Sequence, residues 1–258
     1  MTGEPALWVY AVTPTGSALP SGCGVDGEAL RRVAHAGLAA VVSAVGWAGR
    51  PGVLEQELRD PKRLETVARA HHEVVEACFR SGPTVPFRLG TLYRSDEGVR
   101  DLLAQRREEL ATALTMVAGR VEWGVQAYAV TSHDPSTATD EPNDTAPPGT
   151  AYLLRRRSQR MARERAERSA WEAASQVDAA LTAVAVAARS QSSVGAAWRR
   201  DTVGTQVLNM SYLVEEAAGD QFRTIVGQLA RRYPGLALRV TGPWPAYSFV
   251  EFKGGGEG

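Results

Sequence analysis

The chain has 258 residues, 44% of them hydrophobic and 22% charged, which is enough apolar length for two ordinary domains and too much for a disordered chain. Its 29 basic residues balance 29 acidic ones, so no global field draws it to nucleic acid or to an anionic membrane. The two cysteines, Cys23 and Cys78, stand far apart and outside any metal-binding spacing, as expected of free thiols in a reducing compartment.

Residues 6–12 are aromatic and β-branched and run into a Pro/Gly/Ser loop, which predicts a first strand. Asp26 is positioned to cap a short helix over 26–33, and Gly37 breaks it before a buried strand over 38–45. Asp60-Pro61 is a cap followed by proline at the first helical position. Leu64, Val67, Ala68, His71, Val75 and Cys78 then recur at helical spacing. A short strand is expected over 84–87. Ser95 with Asp96 and Glu97 opens a helix whose buried stripe is Val99, Leu102, Leu103, Leu110, Leu114 and Val117, and 121–130 alternates as a closing strand. The order β-α-β-α-β-α-β predicts an α+β first domain of ferredoxin-like character over residues 1–132.

Residues 133–149 are rich in Pro, Thr, Ser, Asp and Asn, with acids and no bases, and read as a solvated linker. From 150 to about 180 a long helix is predicted. Its middle carries Arg155, Arg156, Arg157, Arg160, Arg163, Arg165 and Arg168, and its apolar stripe resumes at Trp171, Ala174, Val177 and Leu181. Strands over 184–188 and 206–214, a helix over 215–233 and a final strand from 236 complete a second α+β domain, 150–258, a reduced version of the first. No apolar stretch approaches the length of a bilayer span, and the apolar N-terminal run lacks the basic region of a signal peptide, so the expected location is cytoplasmic, without membrane contact.

Gly22-Cys23-Gly24-Val25-Asp26-Gly27 matches the dinucleotide-binding pattern by letter, but no strand ends at its first glycine and no carboxylate closes the next strand; a glycine-rich turn is the better account. His71, His72, Glu73 and Glu76 suggest a metal or acid/base cluster. Adjacent helical side chains diverge by about 100°, so His71 is read as a hydrogen-bonded core residue and His72 with Glu76 as a surface pair. There is no nucleophile elbow and no phosphate loop. No enzymatic activity, metal or cofactor is expected. The arginine run carries Glu164 and Glu167 and lacks interleaved aromatics, so it reads as a solvated face or a docking face for an acidic partner before a nucleic-acid site.

Two blocks stand out as rigid apolar edges. One is the central block at 86–100, beginning Pro86-Phe87-Arg88-Leu89-Gly90-Thr91; the other is the terminal block, Thr241-Gly242-Pro243-Trp244-Pro245-Ala246-Tyr247-Ser248-Phe249-Val250, in which prolines flank a tryptophan. Trp244 is expected to close the second core. Together with Ala70-His71-His72-Glu73-Val74-Val75-Glu76 and Leu208-Asn209-Met210-Ser211-Tyr212-Leu213-Val214, these blocks resemble the F/L family of gas vesicle proteins along nearly the whole chain. The matching residues are Pro86, Arg88, Gly90 and Thr91, then Leu208, Asn209, Tyr212 and Leu213, then 241–250. Leu89 departs from the glycine or phenylalanine usual there, and Met210-Ser211 from two small residues. The resemblance implies a two-domain α+β protein, ferredoxin-like and modified ferredoxin-like. It further implies that the protein associates with the small hydrophobic shell protein, and with other accessory proteins, during vesicle formation. Pro86, Arg88, Gly90, Thr91, Asn209, Tyr212, Trp244, Pro245 and Tyr247 are the partner-contact candidates. The resemblance carries no catalytic residues. The alternative reading is a ferredoxin-like regulatory module for RNA or a small ligand.

Overall fold

A computed structural model of the protein describes residues 6–47, 52–130, 148–191 and 204–250. They fall into two compact units: Met1–Glu122 with Leu213–Ala217 and Gly242–Gly258, and Trp123–Tyr212 with Ala218–Thr241. This division does not run through the expected linker at 133–149. Residues 133–147 of that linker lie outside the described part.

The first unit is built on β1 (Ala6–Pro14), β2 (Arg31–His35), β3 (Leu38–Val45), α1 (Val53–Glu57), α2 (Pro61–Arg80), β4 (Val85–Pro86), β5 (Leu92–Tyr93), α3 (Asp96–Gln105) and α4 (Arg107–Val117). Its sheet has the order β2-β3-β1-β4, with β5 also paired to β1, and every pairing is antiparallel. β1 is central and almost wholly buried. Its pairing with β3 shifts register between Val9 and Ala11, leaving Tyr10 as a bulge. The bulge resets the alternation of faces, so Trp8, Tyr10 and Ala11 all enter one core cluster with Val67, Val74, Val75 and Cys78 of α2.

The helix expected over 26–33 is not formed. β2 occupies 31–35 with only Val33 buried, a period of two. It joins β3 through Ala36 and Gly37, at φ 47° and 88°, the two left-handed residues of a type I′ hairpin. The loop before it holds the glycine-rich motif. Gly24 lies so close to the Tyr10 and Ser43 hydroxyls that a Cβ would stand 2.6 Å from Ser43 Cβ, and the Val25 amide donates to Tyr10 Oη at 2.8 Å. This glycine serves close packing against Tyr10 of β1 and Ser43 of β3.

α2 begins as expected: the Asp60 carboxylate accepts from the Lys62 amide. Its buried residues are Val67, His71, Val74, Val75 and Cys78; Leu64, expected on the stripe, is exposed in the first turn. The single helix expected after Ser95 is two, α3 and α4, interrupted at Arg106 (φ −110°, ψ 20°) without loss of the buried stripe. Asp96 in the first turn of α3 is gripped by the Arg31 guanidinium of β2, at 2.6 and 3.0 Å, which holds its carboxyl below the usual range.

The strand expected to close the first sheet, β6 (Arg120–Ala129), instead enters a second one. With α5 (Pro148–Thr182), β7 (Ala187–Ser190), β8 (Gln206–Glu215), α6 (Gly219–Arg232) and β9 (Leu236–Trp244) it builds a sheet of order β7-β8-β6-β9. A short 3-10 turn, Glu216–Ala218, takes the start of the helix expected at 215. α5 buries Ala170, Ala174, Val177 and Leu181, and α6 buries Phe222, Val226 and Leu229. Trp171, expected on the buried stripe, is 56% exposed, because the inward-facing positions at i, i+4, i+7 and i+11 begin at Ala170.

Candidate partner-binding surface

The central block supplies the short strands at one edge of the first sheet. β4 pairs Pro86 with Ala11 and β5 pairs Leu92 with Trp8, both along β1. Proline is tolerated at a sheet edge, where one missing donor breaks no inner ladder. Between the two short strands the chain turns outward over 88–91, where the Thr91 amide and hydroxyl both donate to the Arg88 carbonyl, at 3.3 and 2.8 Å. Gly90 sits at the third turn position with φ 84°, the conformation a type II turn requires there. Arg88 is exposed at the tip, and Leu89, at the permissive second position, packs on the core cluster. The family departure at Leu89 therefore costs the turn nothing.

His71 ties this edge to the core. The Trp8 indole donates to His71 Nδ1 at 2.9 Å, so Nε2 carries the proton and donates to the Phe87 carbonyl at 3.0 Å. The ring also stacks on Tyr10, with centroids 5.4 Å apart. Burial lowers the His71 pKa to about 4, so the ring is neutral near pH 7. It is the expected core histidine. The expected pair of His72 with Glu76 does not form: Glu76 binds Arg80 at 3.2 Å, and His72 lies against Trp244 and Tyr247, centroids 5.3 and 6.4 Å away. Among the described residues no group of three or more His, Cys, Asp or Glu could hold a metal ion.

The terminal block is clamped down after its tryptophan, whereas Pro243 before it is exposed. Glu122, a buried carboxylate, accepts from the Ser248 amide at 2.9 Å and from the Ser248 hydroxyl. Pro245, Ala246, Phe249 and Val250 are buried, and Tyr247 packs on the same core cluster as Leu89. Burial, then Cys78 and Glu122, push the Tyr247 phenol up. Trp244 is the exception. The residue is 42% exposed, its ring edge-on to His72, and it does not close a core as expected. Glu122 and Ser248 were missed from sequence, although a carboxylate flanked by Val121 and Trp123 in an apolar strand is itself a signal of a buried partner.

Asn209 and Tyr212 belong to the second unit and are structural there. Asn209 of β8 donates to the Gln191 carbonyl at 3.2 Å and accepts from Gln126 of β6 at 3.3 Å, linking three successive segments of the sheet. Tyr212 is fully buried; its hydroxyl donates to Asp178 of α5 at 2.8 Å and its ring packs on Phe222 of α6. Burial and the Asp178 carboxylate both raise its pKa.

The two antiparallel sheets, each packed with helices, define an α+β protein. The model of the gas vesicle synthesis protein GvpL/GvpF family matches residues 6–251, and the chain belongs to that family. It is 34% identical to gas vesicle protein L of Streptomyces sp. (strain CB03234), over 97% of this chain and 94% of that one. Its identity to gas vesicle protein F2 of Halobacterium salinarum is 27%, over 98% and 96%. The crystal structure of the gas vesicle protein GvpF from Anabaena sp. PCC7120 superposes with a TM-score of 0.67 at 16% identity, covering 98% of this chain and 99% of that one, and so shares the fold. The family places the chain in gas vesicle formation. No helix among the described residues is long and apolar enough to cross a membrane.

Proposed function

We propose that the protein acts in the cytoplasm as a non-enzymatic assembly factor that binds the small hydrophobic shell protein during vesicle formation, with Trp244 as the anchoring contact. The observation carrying this reading is the contrast within one block: residues 245, 246, 249 and 250 are buried and Ser248 is clamped by Glu122, while Trp244 stands 42% exposed. A large aromatic held in place loses little conformational entropy on binding, which is the character of an interface anchor. Arg88, exposed at the tip of the turn at Gly90, offers a second, polar contact. The expected result is that Trp244→Ala keeps the melting temperature within a few degrees and no longer co-purifies with the shell protein. Unchanged recovery of the shell protein would reject Trp244 as the anchor.

The first sheet, in the order β4-β1-β3-β2 with a helix between β3 and β4, supports a ferredoxin-like reading in which a loop replaces the first crossover helix. We further propose that 133–149 is a solvated connection, as its acids, prolines and lack of bases suggest. Limited digestion by an endoprotease that cleaves on the amino side of aspartate should cut first before Asp140 or Asp144. First cleavage inside either sheet would refute this.

A further inference from the structure

We propose that the first half of α5 is a docking arm for an acidic protein segment, through an arginine-rich face centred on Arg157, Arg165 and Arg168. Every described residue from Arg156 to Ser169 is exposed, so about 20 Å of helix carries no buried residue. A helix with no buried face needs another reason to persist, and two i,i+4 pairs supply only part of it: Arg160 to Glu164 and Arg163 to Glu167, each at 2.9 Å. These pairs engage both glutamates of the segment. Arg156, Arg157, Arg165 and Arg168 have no ion pair among the described residues.

From Arg156 to Arg168 six arginines stand against two glutamates, a surplus of four positive charges in a chain that is neutral overall. The charge is therefore concentrated on this arm and balanced elsewhere. Like charge argues against pairing with the arm of a second copy. The helical period places Arg157, Met161, Arg168 and Trp171 on one stripe, and Met161 and Trp171 are exposed at 43% and 56%. Two apolar side chains ten positions apart are too sparse for insertion into a bilayer surface, where a continuous apolar face is needed. A single aromatic on this stripe gives no stacking platform for the bases of a nucleic acid. Cations flanking two apolar anchors suit an amphipathic acidic helix, whose carboxylates meet the arginines bidentately while its apolar residues cover Trp171 and Met161. This surface lies in the second unit and does not depend on the Trp244 contact.

The test uses the full chain and a labelled, glutamate-rich amphipathic peptide of about 20 residues, followed by fluorescence anisotropy. Binding should weaken as salt rises and fall about tenfold or more in the Arg157→Glu, Arg165→Glu, Arg168→Glu variant. Reversing Arg231 and Arg232 at the end of α6 should leave it unchanged. Because the substituted side chains are exposed, circular dichroism and melting of the variant should match the parent; Trp171→Ala, which changes no charge, provides a second variant and should also weaken binding. Equal peptide affinity in the triple variant overturns the proposal. So does tighter binding of the arm to duplex DNA or to phosphatidylserine vesicles than to the peptide.

Discussion

Replacing His71 with alanine is expected to destabilise the first unit by about 3–5 kcal/mol, a large share of a domain's stability. The imidazole fills a site 3% exposed, so its removal leaves a cavity. It also orphans two buried groups, the Trp8 indole N–H and the Phe87 carbonyl, each costing about 1–3 kcal/mol if left unpaired. Chemical denaturation gives the direct measurement. pH supplies a second signature. The folded-state pKa is about 4 against 6.5 for the free side chain, so between these values the unfolded chain binds a proton that the folded one refuses. The neutral ring's contribution is fully present above pH 6.5 and is lost as pH falls toward 4, by about 1.4 kcal/mol per unit and about 3 kcal/mol in all. Asp96, held low by Arg31, loses its contribution only at lower pH and does not fall in this window. His71→Gln, which retains one acceptor and one donor, should flatten the difference between pH 7 and pH 4. An equally steep acid loss in that variant would show that another group carries it.

Tyr212→Ala should cost the second unit about 3–5 kcal/mol, from loss of a fully buried ring packed on Phe222 and of the hydroxyl that binds Asp178. Tyr212→Phe keeps the ring and is expected to cost about 1–2 kcal/mol, with Thr182 left as a weaker partner for Asp178 at 3.4 Å. Melting curves of the two variants separate packing from hydrogen bonding. A Tyr212→Ala protein that melts normally would return this residue to the list of partner contacts, since burial would then carry no energy. With Trp244 the sign is reversed: the exposed ring should matter for association and little for stability.

Periodicity and punctuation in the chain carried most of the local structure. β1, β3, α2, β8 and α6 lie where apolar spacing, the Asp60-Pro61 cap and the Pro234-Gly235 stop put them, because these signals act within a few residues. The buried stripe of α3 and α4 and the core role of His71 were legible for the same reason. The motif blocks led to the gas vesicle family, since type II turn chemistry at Gly90 and proline-bounded Trp244 leave a mark in the letters. Other features needed the tertiary structure. Whether 26–33 coils or pairs depended on β3 being available as a neighbour, and pairing with a central strand outweighs a capping residue. The strand at Arg120–Ala129 reads identically in either sheet; only its partners β8 and β9, far along the chain, decided which one it joins. Trp244 shows the same limit most plainly. Proline-fixed backbone and a large ring predict burial by composition, but the interior is filled by the residues that follow it, Pro245, Ala246, Phe249 and Val250, and an exposed face is a property of what fails to pack there, which no local pattern records.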